Sequence, residues 1–325
     1  MISTKYVFLL VMLVLVGSMH DKILGYESIT TDEKHYALVK KYLLNDSSLA
    51  RSNLPILWIH VEGEINARWW ESFYSRNTKR LNQPYQHLTI KRIVDKCGGS
   101  FNVCLIDDDT FSKIIPGWTT DMSKLASPIK EKIREMAIAR ILHSYGGVLM
   151  PSTFICFEDF YGAYIEGTEG HKMFIGEFVN RSISSTNYEV YPNTRLMGCV
   201  KNCSQMEKYI NYLERNISSD YTNESVFVGD YANWCKTEVE NNNIRLIRAE
   251  MLGALDTSNK LITIDRLLKN TYIDISPDAI GLYIPECDIL SRTAYNWFAR
   301  MNAEQVLGSD TFVGKLLLTN CGCGL

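Results

Sequence analysis

A mainly parallel α/β sheet with flanking helices is the fold this sequence predicts. Three observations point to it. Short apolar strand-like runs alternate with helical stretches from Pro55 to Met150. The helices end in glycine pairs, Gly98-Gly99 and Gly146-Gly147. The composition, 46% hydrophobic and 22% charged over 325 residues, is that of a globular chain able to bury a sizeable core.

The elements follow in order. Residues Thr31 to Leu44 place Tyr36, Val39, Tyr42 and Leu43 at three- and four-residue steps, an amphipathic helix. A polar connector to Asn53 follows. The segment PILWIHV, Pro55 to Val61, is short, β-rich and bounded by Pro and Gly, and so predicts a buried strand. Ala67 to Thr78 predicts a helix with Trp70, Phe73 and Tyr74 on one face. Tyr85 to Cys97 predicts a second, opened by Pro84. FNVCLI, Phe101 to Ile106, is the next strand and runs straight into Asp107-Asp108-Asp109. Asp109 stands where it would cap a helix opening at Thr110. Ser127 is placed to cap a helix with Pro128 in its first turn and an apolar stripe through Ile129, Ile133, Met136, Ala137 and Ile141. Val148 to Met150 is a short third strand.

The second half is less regular. Strands are expected at Lys172 to Val179, Thr194 to Val200 and Gly281 to Pro285. Helices are expected at Met206 to Leu213, Val226 to Val239, Tyr295 to Met301 and Phe312 to Leu318, with Ile244 to Leu255 extended in part.

The formal net charge of −3 gives no electrostatic footprint for nucleic acid. Tyr6 to Val16 is an unbroken apolar run after Lys5. Its eleven residues are short for a membrane span and fit a signal peptide or signal anchor in residues 1–25. Residues 26–53 then form an N-terminal helix and connector, and residues 54–325 the main domain. The expected location is the secretory lumen or a single-pass N-terminal membrane anchor. Five N-x-S/T sequons, at Asn45, Asn180, Asn202, Asn216 and Asn223, agree with a lumenal glycoprotein. Of the nine cysteines none forms a CxxC pair, which argues against a zinc ribbon; buried free thiols are expected, with Cys321-Gly322-Cys323 a redox or metal clip as the alternative.

In a parallel sheet, ligands lie beyond the carboxyl ends of the strands. That rule brings His60, Asp107 to Asp109 and Pro151 to Thr153 to one rim. The stretch IREMAIARILHSYGGVLMPST, Ile133 to Thr153, resembles the core motif of A-type-fold glycosyltransferases, namely the DXD sugar-binding region and capsular polysaccharide synthesis types. Leu142, Tyr145, Gly146, Gly147 and Val148 carry the match, and LPILWIH partly resembles the family's first strand. The resemblance implies a nucleotide-sugar donor and a glycan or protein acceptor. It also implies Mn²⁺ or Mg²⁺ held by an Asp-x-Asp that neutralises the diphosphate. Here Pro151 stands where the family carries its first Asp, followed by Ser152 and Thr153, so the usual ligand pair is absent. Glu135 stands near the family's helix Asp, and Arg134 and Arg140 flank its helix Arg.

The candidates are therefore these. Asp107, Asp109 and Glu177 are the acids suited to catalysis. Trp58, His60, Arg134, Arg140, Ser152 and Thr153 are the substrate contacts. Trp58 and the pair Trp69-Trp70 offer stacking faces, and Arg76 and Arg80 offer phosphate contacts. The alternative is a catalytically inactive transferase-fold protein, a glycan- or nucleotide-binding or interaction module, for instance in a large DNA virus.

Overall fold

The computed structural model of the chain describes residues 54–61, 83–180, 188–219 and 224–320, all within one unit spanning Leu43–Leu325. The expected helices at Thr31 to Leu44 and Ala67 to Thr78, the apolar segment Tyr6 to Val16, and residues Glu62, Trp69, Trp70, Arg76 and Arg80 lie outside the described residues. So do Asn45, Asn223, Cys321 and Cys323. No helix among the described residues is long and apolar enough to cross a membrane.

The fold is mixed α/β, with a six-stranded, mostly parallel sheet and flanking helices. Strand β1 (Ile56–His60) is followed by helix α1 (Gln86–Cys97), β2 (Asn102–Ile106), α2 (Ile129–Tyr145), β3 (Gly147–Leu149), β4 (Phe154–Cys156) and α3 (Tyr161–Thr168). Then come β5 (Met173–Val179), β6 (Val190–Cys199), α4 (Ser204–Ser219), α5 (Glu224–Glu240), β7 (Ile244–Ile247), β8 (Gly281–Tyr283), α6 (Glu286–Ser291) and α7 (Phe312–Asn320). The large sheet has the order β2-β1-β3-β6-β5-β7. β1 pairs in parallel with β2 and β3, β5 pairs in parallel with β7, and β6 runs antiparallel to both its neighbours. β4 and β8 form a separate antiparallel pair.

The strands form where the sequence places continuous apolar runs. Leu57, Trp58 and Ile59 are all buried, as expected for a parallel strand covered on both faces. One core packs Trp58, Ile106 and Leu149 with Ala137 and Leu142 of α2 and Tyr209 of α4. A second unites Tyr85 and Leu88 of α1 and Ile155 of β4 with Leu282 of β8, Phe298 and Leu317.

The Gly146-Gly147 turn is sterically obligatory. Both residues have positive φ, +74° and +100°. A Cβ at Gly147 would lie 2.0 Å from the Ile56 carbonyl oxygen, so no side chain can stand where β3 enters beside β1. The Gly146 N–H donates to the Leu142 carbonyl at 2.7 Å and closes α2.

Several local expectations differ from the structure. Ser127 does not cap α2: its hydroxyl bonds the Glu131 carboxylate, and Pro128 takes the cap position without a side-chain bond. Helix α2 is also buried well beyond its apolar stripe, enclosing Lys130, Lys132 and Arg134. Of Tyr295 to Met301 only Asn296–Ala299 is α-helical. Strand β4 and helices α3 and α6 were not expected, because segments of three to eight residues carry too few periods to read.

Candidate functional site

The carboxyl ends of β1, β2 and β3 lie side by side. His60 pairs with Ile106 in the β1–β2 register, and Trp58 with Leu149 in the β1–β3 register. The Val61 N–H donates to the Ile106 carbonyl and the Met150 N–H to the Trp58 carbonyl, both at 2.9 Å. His60, the acidic triplet and the Met150-Pro151-Ser152-Thr153 turn therefore share one edge of the sheet.

Within the triplet the three carboxylates have different roles. Asp107 is a cap: it accepts the Thr110 N–H at 3.1 Å and the Thr110 hydroxyl at 2.6 Å. The capping residue is thus Asp107 rather than Asp109, which is exposed. Asp108 is the hub. Arg134 donates to it through Nε at 2.8 Å and Nη2 at 2.7 Å, His60 Nε2 lies 3.0 Å away, and Lys130 Nζ lies 3.5 Å away. Burial pushes the Asp108 carboxyl up, but the Arg134 and His60 hydrogen bonds outweigh it and hold the group well below the usual carboxylate range. Arg134 and Lys130 sit in the first turns of α2, whose N-terminal end adds its own positive potential at this edge.

A second polar cluster lies at the neighbouring strand ends. The single proton of the Thr153 hydroxyl is shared between the Ile284 carbonyl at 2.7 Å and Glu286 Oε2 at 2.9 Å. Tyr283 donates its hydroxyl to the same carboxylate at 2.8 Å, and Arg195 of β6 forms an ion pair with it. Ser152 is buried, and its carbonyl accepts the Thr89 hydroxyl at 2.6 Å. Glu177 stands near the carboxyl end of β5 and accepts the Ala249 N–H at 3.1 Å. Burial raises its pKa, and the Ala249 bond only partly offsets that. Tyr283 also borders a small, partly open pocket lined by Phe178, Leu252, Ala254, Ile262 and Pro285 among others.

Two candidates lie elsewhere. Trp58 is 1% exposed, packs in the core and donates its indole N–H to the Gly146 carbonyl at 3.0 Å. Arg140, farther along α2, pairs with Glu214 of α4. Glu135 points into the core, where it accepts the Tyr209 hydroxyl at 2.8 Å. Sequence reasoning passed over Asp108, Arg195 and Glu286. Only the first gave a signal, as the middle member of the triplet.

The carboxylates at the edge do not fit a divalent metal. Asp107 is spent on its cap, Asp108 on its cations and Glu286 on Arg195 and two hydroxyls. Among the described residues no group of three or more His, Cys, Asp and Glu side chains is arranged to hold an ion.

No protein-family model matches the chain, and no curated protein sequence matches it. Among solved structures the chain is similar to galactosyltransferase LgtC in complex with donor and acceptor sugar analogs, at 8% identity and a TM-score of 0.37, covering 75% of this chain and 92% of that one. It is also similar to the PaToxG glycosyltransferase, at 13% identity and 0.34, covering 67% and 81%. The glycosyltransferase GlyE of Streptococcus pneumoniae TIGR4 matches at 8% identity and 0.37, covering 80% and 65%. Likenesses this distant transfer no residue role to this chain.

Proposed function

We propose that this chain is a divergent glycosyltransferase-like protein that binds a nucleotide-sugar at the carboxyl edge of its sheet and transfers the sugar to a glycan or protein acceptor. The observation that carries the reading is the adjacency of the β1, β2 and β3 ends, which brings His60, Asp108 and the Ser152-Thr153 turn together. The Tyr145-Gly146-Gly147 motif leads into β3 at its amino end, and β3 then delivers the chain to the carboxyl edge, where such a fold binds its ligand.

In this reading His60 and Arg134, fixed on Asp108, form one wall of the donor site. Asp107 and Asp109 flank that wall. Ser152 and Thr153 form its floor. Glu177, a carboxyl whose burial raises its proton affinity, is the candidate base on the acceptor side. The residues at the edge do not fit the family's metal, so no step runs through one.

The test is calorimetric titration of the full chain with a panel of nucleotide-sugars, with and without Mn²⁺, combined with an assay for nucleotide release. Saturable binding of one of them, with release on addition of an acceptor, is expected. Binding without release in any acceptor mixture would favour a binding module. Absence of binding across the panel would remove the reading.

A further inference from the structure

We propose that Arg195 is the anion-binding group of this edge, a guanidinium parked on Glu286 that engages the phosphates of a diphosphate ligand without a metal ion. The proposal rests on the donor reading for the identity of the ligand, but not for the existence of the site.

Its place follows from the sheet register. Leu149 pairs with Met197 across the antiparallel β3–β6 ladder. Arg195 lies two residues before Met197, where β6 bulges against β5, and it meets the turn after β3 through Glu286, the carboxylate that Thr153 also approaches. Its side chain is 41% exposed, whereas the carboxylate it pairs with is 18% exposed.

Glu286 can release Arg195 without being left bare. The Tyr283 hydroxyl donates to it at 2.8 Å, and the Thr153 hydroxyl, whose one proton is shared with the Ile284 carbonyl, lies 2.9 Å away. The other arm of Arg195 rests on the Cys287 thiol at 3.0 Å, a weak acceptor that a phosphate oxygen readily displaces. A guanidinium carries five N–H donors in a planar fork matched to phosphate. The Arg195 backbone N–H is fixed on the Asn193 side chain at 2.9 Å, so the base of the side chain is held.

A separate observation marks the surroundings as an incompletely satisfied polar site. Gln83 and Tyr85 are both fully buried, and Gln83 Oε1 and the Tyr85 hydroxyl have no hydrogen-bond partner among the described residues. Gln83 donates its amide to the Glu286 carbonyl at 3.2 Å, so these orphaned groups border the same carboxylate residue. Buried polar groups of this kind are rare without a ligand or water to serve them.

The experiment is titration of the full chain in EDTA with inorganic pyrophosphate and, separately, with UDP-glucose and GDP-mannose. Wild type, Arg195→Ala and Arg195→Lys are compared, with thermal unfolding as a check on the fold. Pyrophosphate should bind wild type without metal, and about tenfold or more weaker in folded Arg195→Ala. Arg195→Lys, which keeps the charge but not the fork, should fall between them and serves if the alanine variant does not fold. No pyrophosphate binding to wild type, binding that requires Mn²⁺, or equal affinity in the folded variants overturns the proposal. Nucleotide-sugars that bind wild type and variants alike overturn it while sparing the donor reading. Pyrophosphate binding that depends on Arg195 supports the anion site even if neither nucleotide-sugar binds, the donor reading being decided by the full panel.

Discussion

At the residue scale, Asp108 organises its side of the edge, because one carboxylate answers Arg134, His60 and Lys130 at once. Removing one partner of a buried charge network costs about 3–5 kcal/mol. Asp108→Asn should therefore lower the unfolding free energy at pH 7 by about that amount in urea titrations. The folded carboxyl is depressed, so its stabilisation is full above the unfolded value of about 3.9 and is lost as the pH falls below it. The gap between wild type and variant should accordingly be narrower at pH 3 than at pH 7, and an unchanged gap would assign the loss to something other than charge. Gly147→Ala should destabilise by well over about 1 kcal/mol, because positive φ and the Ile56 carbonyl both exclude a methyl group. Gly147 was readable in the sequence as a helix stop before a strand. The ordering inside Asp107-Asp108-Asp109 was not. Which of three adjacent carboxylates turns toward Arg134 depends on how the chain rotates as β2 gives way to a tight turn.

At the scale of elements, the first half was legible because each strand is apolar and each helix has a marked stop. Strand β1, helix α1, strand β2, helix α2 and strand β3 fall where periodicity puts them. Helix α2 holds what the sequence does not show: Arg134, expected as a substrate contact, is bonded to Asp108, and nothing local announces a carboxylate 26 residues upstream. The start of α4 yields its own prediction. The Cys203 thiol is drawn down to about 6, chiefly by the hydrogen bond from Cys199, against burial and with help from the Met206 and Gln205 N–H groups at the helix N-terminus. An ultraviolet thiolate step with a midpoint near about 6 should be present in wild type, absent in Cys203→Ser and moved upward in Cys199→Ala. The folded value lies below the unfolded one of about 8.5. Unfolding free energy should therefore rise between these pH values in wild type and stay flat in Cys203→Ser. A flat wild-type profile would mean that the thiol stays protonated.

At the scale of the whole molecule, the edge is completed by chain that arrives late. Thr153 bonds Ile284 and Glu286, more than 130 residues onward, and β8 pairs with β4 to bring them there. No pattern in the sequence joins those segments, because a three-residue strand has almost no periodicity and its partner is chosen by packing. Packing also makes the arrangement testable. Leu282 of β8 is fully buried in the cluster that holds Tyr85 and Leu88 of α1, Ile155 of β4 and Leu317 of α7. Leu282→Ala removes contacts to all of these elements and should cost about 2–5 kcal/mol. Because the cluster is shared between early and late chain, that loss should shift one cooperative transition, seen alike by far-ultraviolet circular dichroism and by tryptophan fluorescence. Two separated transitions would show that the late segment folds on its own. Since β8 also carries Tyr283 and leads directly into Glu286, the same substitution should weaken Arg195-dependent pyrophosphate binding under conditions where the protein is still folded. Core and site are then a single construction, in which the strands of the large sheet supply one wall and the returning chain supplies the carboxylate on which the guanidinium waits.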